Sequence, residues 1–266
     1  HPWSAGEVPC ELEGAGGMKP LPRPRAYALL SGGKDSMTLA HVLASADSLI
    51  ACVAFDTGIS IPEWRAFIED TCQKQGWPLI MLRAEDSRFR GDAITYEALV
   101  RRFGFPGPGL HGYFMTYLKG RCLAQFRKER PGVLVASGVR QGESRRRLRN
   151  TKEWSVMEGQ PLWGAIYDWS TPEVWDYVRA NSLIRSPAYT TLGISGDCLC
   201  GAFAQSHERE TIRDIYPTVD ARLVRLEQEV EGKWGCGRAR KGRVSLQERA
   251  ICVECSPLGT PESGTR

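Results

Sequence analysis

The run Ala26-Tyr-Ala-Leu-Leu30, continued by Ser31-Gly-Gly-Lys-Asp-Ser36, decides how this chain is read. A short apolar segment ends at two glycines, after which Met37, Ala40, Leu43 and Ala44 recur at helical spacing, so the stretch reads as strand, loop and helix. The order repeats downstream. Leu49 to Phe55 reads as a strand, Asp56-Thr-Gly58 as a turn, Pro62 to Gln75 as a helix and Leu79 to Leu82 as another strand. Strands alternating with helices imply an α/β fold, a parallel sheet with helices on both faces. Beyond a Gly- and Pro-rich stretch at 104–109, Phe114 to Lys128 reads as a helix and Val133 to Ala136 as a buried strand. Thr171-Pro172-Glu173 reads as a helix start with Thr171 as the cap.

Ser31 to Ser36 sits where loop amides and a helix amino terminus can cradle a phosphate. Gly32 and Gly33 allow close backbone approach, Ser31 and Ser36 offer hydroxyls, and Lys34 offers a charge. The spacing is neither that of a Walker A loop nor the Gly-x-Gly-x-x-Gly dinucleotide fingerprint, and a plain serine-capped glycine turn is the competing reading.

Composition sets the outer limits. The chain has 266 residues, 42% hydrophobic and 25% charged, which suits a globular protein and excludes a collagenous, coiled-coil or mostly disordered one. Lys and Arg total 35 against 31 Asp and Glu, too small an excess to argue for nucleic acid by itself. No run approaches the roughly 18 apolar residues of a membrane span, and no secretory signal is visible, so a cytoplasmic protein is expected. Met18 reads as a start, with residues 1–17 as an extension. Three regions are expected: an N-terminal extension over 1–25, a nucleotide-binding domain over 26–190, and a cysteine-bearing, partly helical module over 191–266. In that last region Ile212, Ile215, Val219, Leu223, Leu226 and Val230 trace one helical face, which Pro217 should kink or split.

Nine cysteines without an export signal argue for thiols or a metal rather than a disulfide framework. Cys52 reads as a buried, inert thiol. Cys198-Leu-Cys200 and Cys252-Val-Glu-Cys255 together offer four thiolates, enough for zinc or an iron-sulfur cluster. Arg140, Arg145, Arg146, Arg147, Arg149 and Lys152 form a dense basic segment after a strand. It can bind a sulfate or phosphate group, grip a nucleic-acid backbone, or be a solvated loop.

Ser31-Gly-Gly-Lys-Asp-Ser36 after its apolar strand resembles the PP-loop of the ATP pyrophosphatases, specifically the phosphoadenosine phosphosulfate (PAPS) reductase family. Asp56-Thr-Gly58, Leu118-Lys119-Gly-Arg121, Gly138-Val-Arg-Gln-Gly-Glu-Ser-Arg145, and Tyr167-Asp-Trp169 before Thr171-Pro-Glu-Val-Trp175 follow in the family's order, so the resemblance covers roughly residues 26–190. It implies a sheet of the HUP (adenine nucleotide alpha-hydrolase) type with ligands at the carboxyl ends of the strands. The residues it marks for ATP are Ser31, Gly32, Gly33, Lys34, Asp35, Ser36, Asp56, Gly138 and Arg140. Those it marks for catalysis are Lys34, Asp35, Asp56, Lys119, Arg140 and Arg145.

Asp56 can serve Mg2+ or simply cap its turn, and Lys119 and Arg121, two apart on a helix, cannot share one face. Relatives with four cysteines carry a 4Fe-4S cluster, which makes Cys198, Cys200, Cys252 and Cys255 the expected ligands, with zinc as the alternative. The reductases end in Glu-Cys-Gly-Leu-His, whereas this chain reads Glu254-Cys-Ser-Pro-Leu258. The resemblance therefore points toward the branch that couples ATP cleavage to DNA phosphorothioation, with DNA and a cysteine desulfurase as partners. A sulfonucleotide reductase and a nucleotide-sensing DNA-binding module are the alternatives.

Overall fold

The computed structural model describes residues 24–143, 152–157, 160–205 and 207–235. Its core is a six-stranded sheet in the order β3-β2-β1-β6-β8-β7. These strands are β1 (Ala26–Leu29), β2 (Leu49–Asp56), β3 (Leu79–Arg83), β6 (Val135–Ala136), β7 (Trp154–Met157) and β8 (Gln160–Trp163). Five run parallel, and β7 pairs antiparallel with β8 at the edge. A separate hairpin joins β4 (Arg88–Phe89) to β5 (Asp92–Ala93). The alternating pattern of the sequence thus builds the expected α/β sheet, whereas the β7–β8 pair and the small hairpin were not anticipated.

Helices cover both faces, as a parallel sheet requires. Successive residues of each strand go to opposite sides: Ala28, Cys52, Ala54 and Ala136 join one cluster, while Leu29, Val53, Phe55 and Val135 join the other. The first cluster is covered by α1 (Lys34–Ser45), α2 (Trp64–Gln75) and α3 (Tyr96–Phe103), the last not foreseen. Cys52 is fully buried there, as expected, beside Cys72.

The helix expected over 114–128 covers the second face and starts earlier. It comprises α4 (His111–Met115), a π turn over Thr116–Gly120 and α5 (Arg121–Glu129), with Met115, Cys122, Leu123 and Phe126 buried.

The start of α6 (Thr171–Ala180) lies one residue earlier than the Thr171 cap expected. Ser170 is the cap: its hydroxyl accepts from the Glu173 amide at 3.3 Å, and the Glu173 carboxylate accepts from the Ser170 amide at 2.7 Å. Glu three residues after Ser closes this reciprocal pair, leaving the Thr171 hydroxyl for another partner. The long helix expected after residue 212 is split at Pro217 into α8 (Glu208–Ile215) and α9 (Pro217–Glu229), following the four-residue α7 (Ala188–Thr191). Ile212, Val219, Leu223 and Leu226 are buried, but the bend leaves Ile215 exposed. Residues from 191 onward, expected as a module of their own, share the first cluster with the sheet: Leu192, Leu199, Leu223 and Trp234 pack there with Ala28 and Leu39. Among the described residues no helix is long and apolar enough to cross a membrane.

Loss of the α6 cap has a measurable cost. Ser170→Ala is expected to lower stability by about 0.5–2 kcal/mol in a urea titration, and Ser170→Asp to recover most of it. An unchanged midpoint in the alanine variant would contradict the reciprocal cap.

Candidate nucleotide site

Strand order places the site. β1 is followed in sequence by β2 on one side, while β6, which pairs on its other side, comes much later. In an open parallel sheet, ligands bind outside the carboxyl ends of the strands at such a reversal. Residues 31–34 leave β1 at that point, and Ser137 to Arg140 leave β6 beside them.

The loop after β1 is tied down from several directions. Trp64, fully buried, donates its indole N–H to the Ser31 carbonyl at 2.7 Å, and the Ser186 amide donates to the Gly32 carbonyl at 2.9 Å. Gly32 has φ 90°, a conformation that disfavours any side chain. The Ser31 and Ser36 hydroxyls lie 3.0 Å apart, and the Gly33 amide donates to Ser31 Oγ at 3.3 Å. Gly33 precedes α1, whose amino terminus lies at the reversal point with the Tyr189 hydroxyl on its first amide. Gly138 approaches closely from β6: a Cβ there would lie 2.9 Å from the Asp35 carbonyl carbon.

Beneath the loop lies a buried charge cluster. Asp35 has no solvent exposure; its Oδ2 accepts from Lys34 Nζ at 2.6 Å and its Oδ1 from Arg140 Nε at 2.5 Å. Arg140, 1% exposed, also donates to the Trp169 carbonyl at 3.1 Å and to the Thr171 hydroxyl at 3.3 Å, the hydroxyl that capping left unused. Arg140 was expected to touch the nucleotide. Its guanidinium is instead committed to Asp35 and to the start of α6. Lys34 is the more accessible cation of the two and the one that can turn toward a phosphate without stranding Asp35.

Lys119 and Arg121 part company as expected. Lys119 points inward, buried, and its ammonium pairs with Asp197. Asp197 also accepts from the Ser195 hydroxyl at 2.5 Å, and its carbonyl accepts from Thr57 Oγ1 at 2.9 Å. Local sequence gave no sign of this partner, 78 positions from Lys119. Tyr189, whose hydroxyl accepts from the Lys34 amide at 3.3 Å, was also missed. Asp56 Oδ1 accepts from the Gly58 amide at 3.0 Å, the turn-capping role weighed against Mg2+ binding. Asp56 also lines a cavity of about 190 Å³ with Gly58, Arg83, Thr95, Glu97 and Arg222, beyond the carboxyl ends of β2 and β3.

Cys198 and Cys200 lie on the same stitched loop, where the Leu199 amide donates to the Ile59 carbonyl at 2.6 Å and the Tyr96 hydroxyl to the Cys200 carbonyl at 3.0 Å. Both are buried. The neighbouring Cys200 sulfur, followed by burial, pushes the Cys198 thiol well above its ordinary value. Burial, with Cys200 and Cys198 beside it, does the same to the Tyr96 hydroxyl. Among the described residues no group of three or more His, Cys, Asp or Glu side chains could hold a metal ion. Cys252, Cys255 and Arg145 lie outside the described residues. The described residues therefore supply half of the expected ligand set and do not by themselves fit a cluster.

A parallel α/β sheet with a glycine loop and a helix terminus at its reversal point is the arrangement of the nucleotide-utilising PP-loop enzymes, and the family match assigns the chain to that class. Residues 25–194 match the family described as phosphoadenosine phosphosulfate reductase domain, and the chain belongs to that family. Among solved structures it is similar to a PAPS reductase from Candida auris in a phosphate complex, at 13% identity and TM-score 0.48, over 64% of this chain and 79% of that one. It is also similar to an FMN adenylyltransferase from Candida glabrata with FAD and inorganic pyrophosphate, at 14% identity and TM-score 0.39. That match spans 60% of this chain and about half, 49%, of the other. No curated protein matches the chain.

The buried cluster yields an expectation. Arg140→Met removes the main partner of a dry carboxylate and should cost about 3–5 kcal/mol in denaturant unfolding. Lys34→Met, at the more exposed end, should cost clearly less. Equal losses would show that Arg140 is not the anchor.

Proposed function

We propose that this protein is an ATP pyrophosphatase that adenylylates an acceptor, a DNA phosphate in the reading we favour, so that sulfur can then displace AMP. The observation that carries it is the amino terminus of α1, lying with the Gly32–Gly33 loop at the sheet's reversal point and carrying Tyr189 on its first amide. In the adenylylation step an acceptor oxygen bonds to the alpha phosphorus while the bridging oxygen to the beta phosphorus leaves with pyrophosphate. Negative charge builds on that leaving group. Lys34 and the hydroxyls of Ser31 and Ser36 are placed to receive it, so positioning and electrostatics supply the catalysis. Asp35, held by Arg140, stays compensated when Lys34 turns to the phosphates. Mg2+ would be held mainly by phosphate oxygens, with Asp56 reaching it through water.

The acceptor half draws on the basic segment after β6 and on the tail, where Cys255 lacks the reductase sequence around it. Four cysteines, Cys198, Cys200, Cys252 and Cys255, form the proposed 4Fe-4S or zinc site, and a cysteine desulfurase is the proposed sulfur donor, its persulfide displacing AMP to leave a phosphorus-bound disulfide that a thiol then reduces to the phosphorothioate. The buried, adjacent pair Cys198 and Cys200 would supply half of that set. Iron, sulfide and zinc analysis of anaerobically purified protein checks it: one cluster or one zinc per chain is expected, reduced in Cys198→Ser and Cys252→Ser alike.

Pyrophosphate release from ATP, measured with DNA, tRNA, sulfate or no acceptor, tests the main reading. DNA is expected to stimulate release, and Lys34→Ala to lower it about 10²–10³-fold while the protein stays folded, its unfolding midpoint falling less than that of Arg140→Met. Undiminished turnover in Lys34→Ala would sink the assignment of the loop. Sulfite from an adenylyl sulfate and thioredoxin, lost in Cys255→Ser, would make the protein a reductase instead. ATP binding without cleavage under every condition would leave a nucleotide-sensing module.

A further inference from the structure

Most surface arginines of the described residues sit against carboxylates: Arg65 on Glu69, Arg83 on Asp86, Arg101 on Glu229, Arg179 on Asp176 and Arg213 on Asp214. Others do not, Arg185 over Trp175 and Tyr189 among them, and three of these gather round a single ring. The guanidinium carbons of Arg102, Arg121 and Arg90 lie 4.8, 5.4 and 5.7 Å from the centre of the Phe89 ring. Arg121 also lies over Tyr117 at 4.6 Å and Arg102 over Phe103 at 5.5 Å. Among the described residues none of the three is in an ion pair, and Asp92 of the same hairpin is in none either.

The rings form a continuous support. Phe89 meets Tyr117 at 4.7 Å, Tyr117 meets Tyr113 at 4.8 Å, and Tyr113 meets Phe103 at 4.8 Å. The backbone adds to it: Arg121 donates to the Arg88 carbonyl at 2.9 Å, tying α5 to the hairpin. Arg90 sits at the hairpin tip with φ 53°, a conformation a non-glycine residue adopts only at some cost.

Three like charges gathered round one ring, none of them ion-paired among the described residues although Asp92 stands opposite Phe89 across the hairpin, repel one another. A cation–π contact at an exposed site returns little against that repulsion, so the arrangement suits an anion that brings its own charge. Three cations round one ring carry more charge than a single phosphate offers, and this favours repeated charges over one phosphate. Guanidinium planes resting on rings leave N–H edges for phosphate oxygens, although Arg121 already gives one N–H to the Arg88 carbonyl.

We propose that Arg90, Arg102 and Arg121, seated on Phe89, Phe103 and Tyr117, form a binding site for the phosphodiester backbone of a nucleic acid. The site borders the cavity at the ends of β2 and β3, because Glu85, Ile94 and Thr95, which flank the hairpin, line that cavity. It names the surface that would hold the acceptor in the reading above. It rests on that reading for the consequence of binding and not for binding itself.

Anisotropy of fluorescein-labelled single-stranded DNA, duplex DNA and RNA, titrated with the full chain at several salt concentrations, tests it. Arg90→Gln/Arg102→Gln/Arg121→Gln is expected to lose at least about tenfold in affinity at low salt, and its slope of log K against log salt to shrink by about 2–3. The triple lysine variant keeps the charges and should keep most of the slope. Unfolding midpoints confirm that both variants fold. The DNA and RNA arms say which acid is held. Unchanged binding in the glutamine variant, no binding by the wild type, or binding only to anionic vesicles would overturn the proposal. Lys34→Ala separates the two readings, since it should bind nucleic acid normally. Wild-type protein that binds through the arginines yet never releases pyrophosphate would sink the enzymatic reading alone.

Discussion

A carboxylate with no access to water sits under the phosphate loop, and the site is organised around compensating it. Asp35 belongs to the first turn of α1, Arg140 to the segment leaving β6, and Thr171 to the first residue of α6. One guanidinium therefore joins three separately coded pieces of chain across the point where strand order reverses. Dry ion pairs add little net stability, but removing either member is costly, so the arrangement fixes geometry more than it strengthens the fold. Close approach of Gly138 to the same turn serves this end, because any side chain there would push β6 and α1 apart.

How much of this was legible depends on range. The strand, loop and helix around Ser31 to Ser36 could be read because each signal is local: an apolar run, two glycines and a helical period. The continuous apolar run of β2 likewise announced a strand buried on both faces. The split between Lys119 and Arg121 followed from helix geometry alone. Their partners did not, since Asp197 and Phe89 come from distant segments and nothing in a local window couples them. β7 escaped because Trp154 and Val156 are exposed on an edge strand, which blurs the alternation a half-buried strand shows. The α6 start was misplaced by one residue because Ser170 and Thr171 are both good caps, and only Glu173 decides between them.

The segment after residue 190 shows that a change of composition need not mean a new core. Gly193 to Gly201 looks like a linker, yet its backbone is hydrogen-bonded to the turn after β2 at Ile59 and Ile61, and Trp234 donates to the Leu199 carbonyl at 2.8 Å. Glycines there permit close packing rather than freedom. The cysteine pair is thus held against the same strand ends that face the nucleotide site, whatever it binds.

The π turn at Thr116–Gly120 places one more residue in its helix than regular coiling would use. Each residue turns an α-helix by about 100°. A lineage that lost one residue here would regain regular hydrogen bonding but rotate everything after it by that angle. Cys122, Leu123 and Phe126 would swing off the sheet, and Arg121 would leave its ring. The bulge is therefore a phase-setting insertion, and substitution is open to this helix in a way that shortening is not.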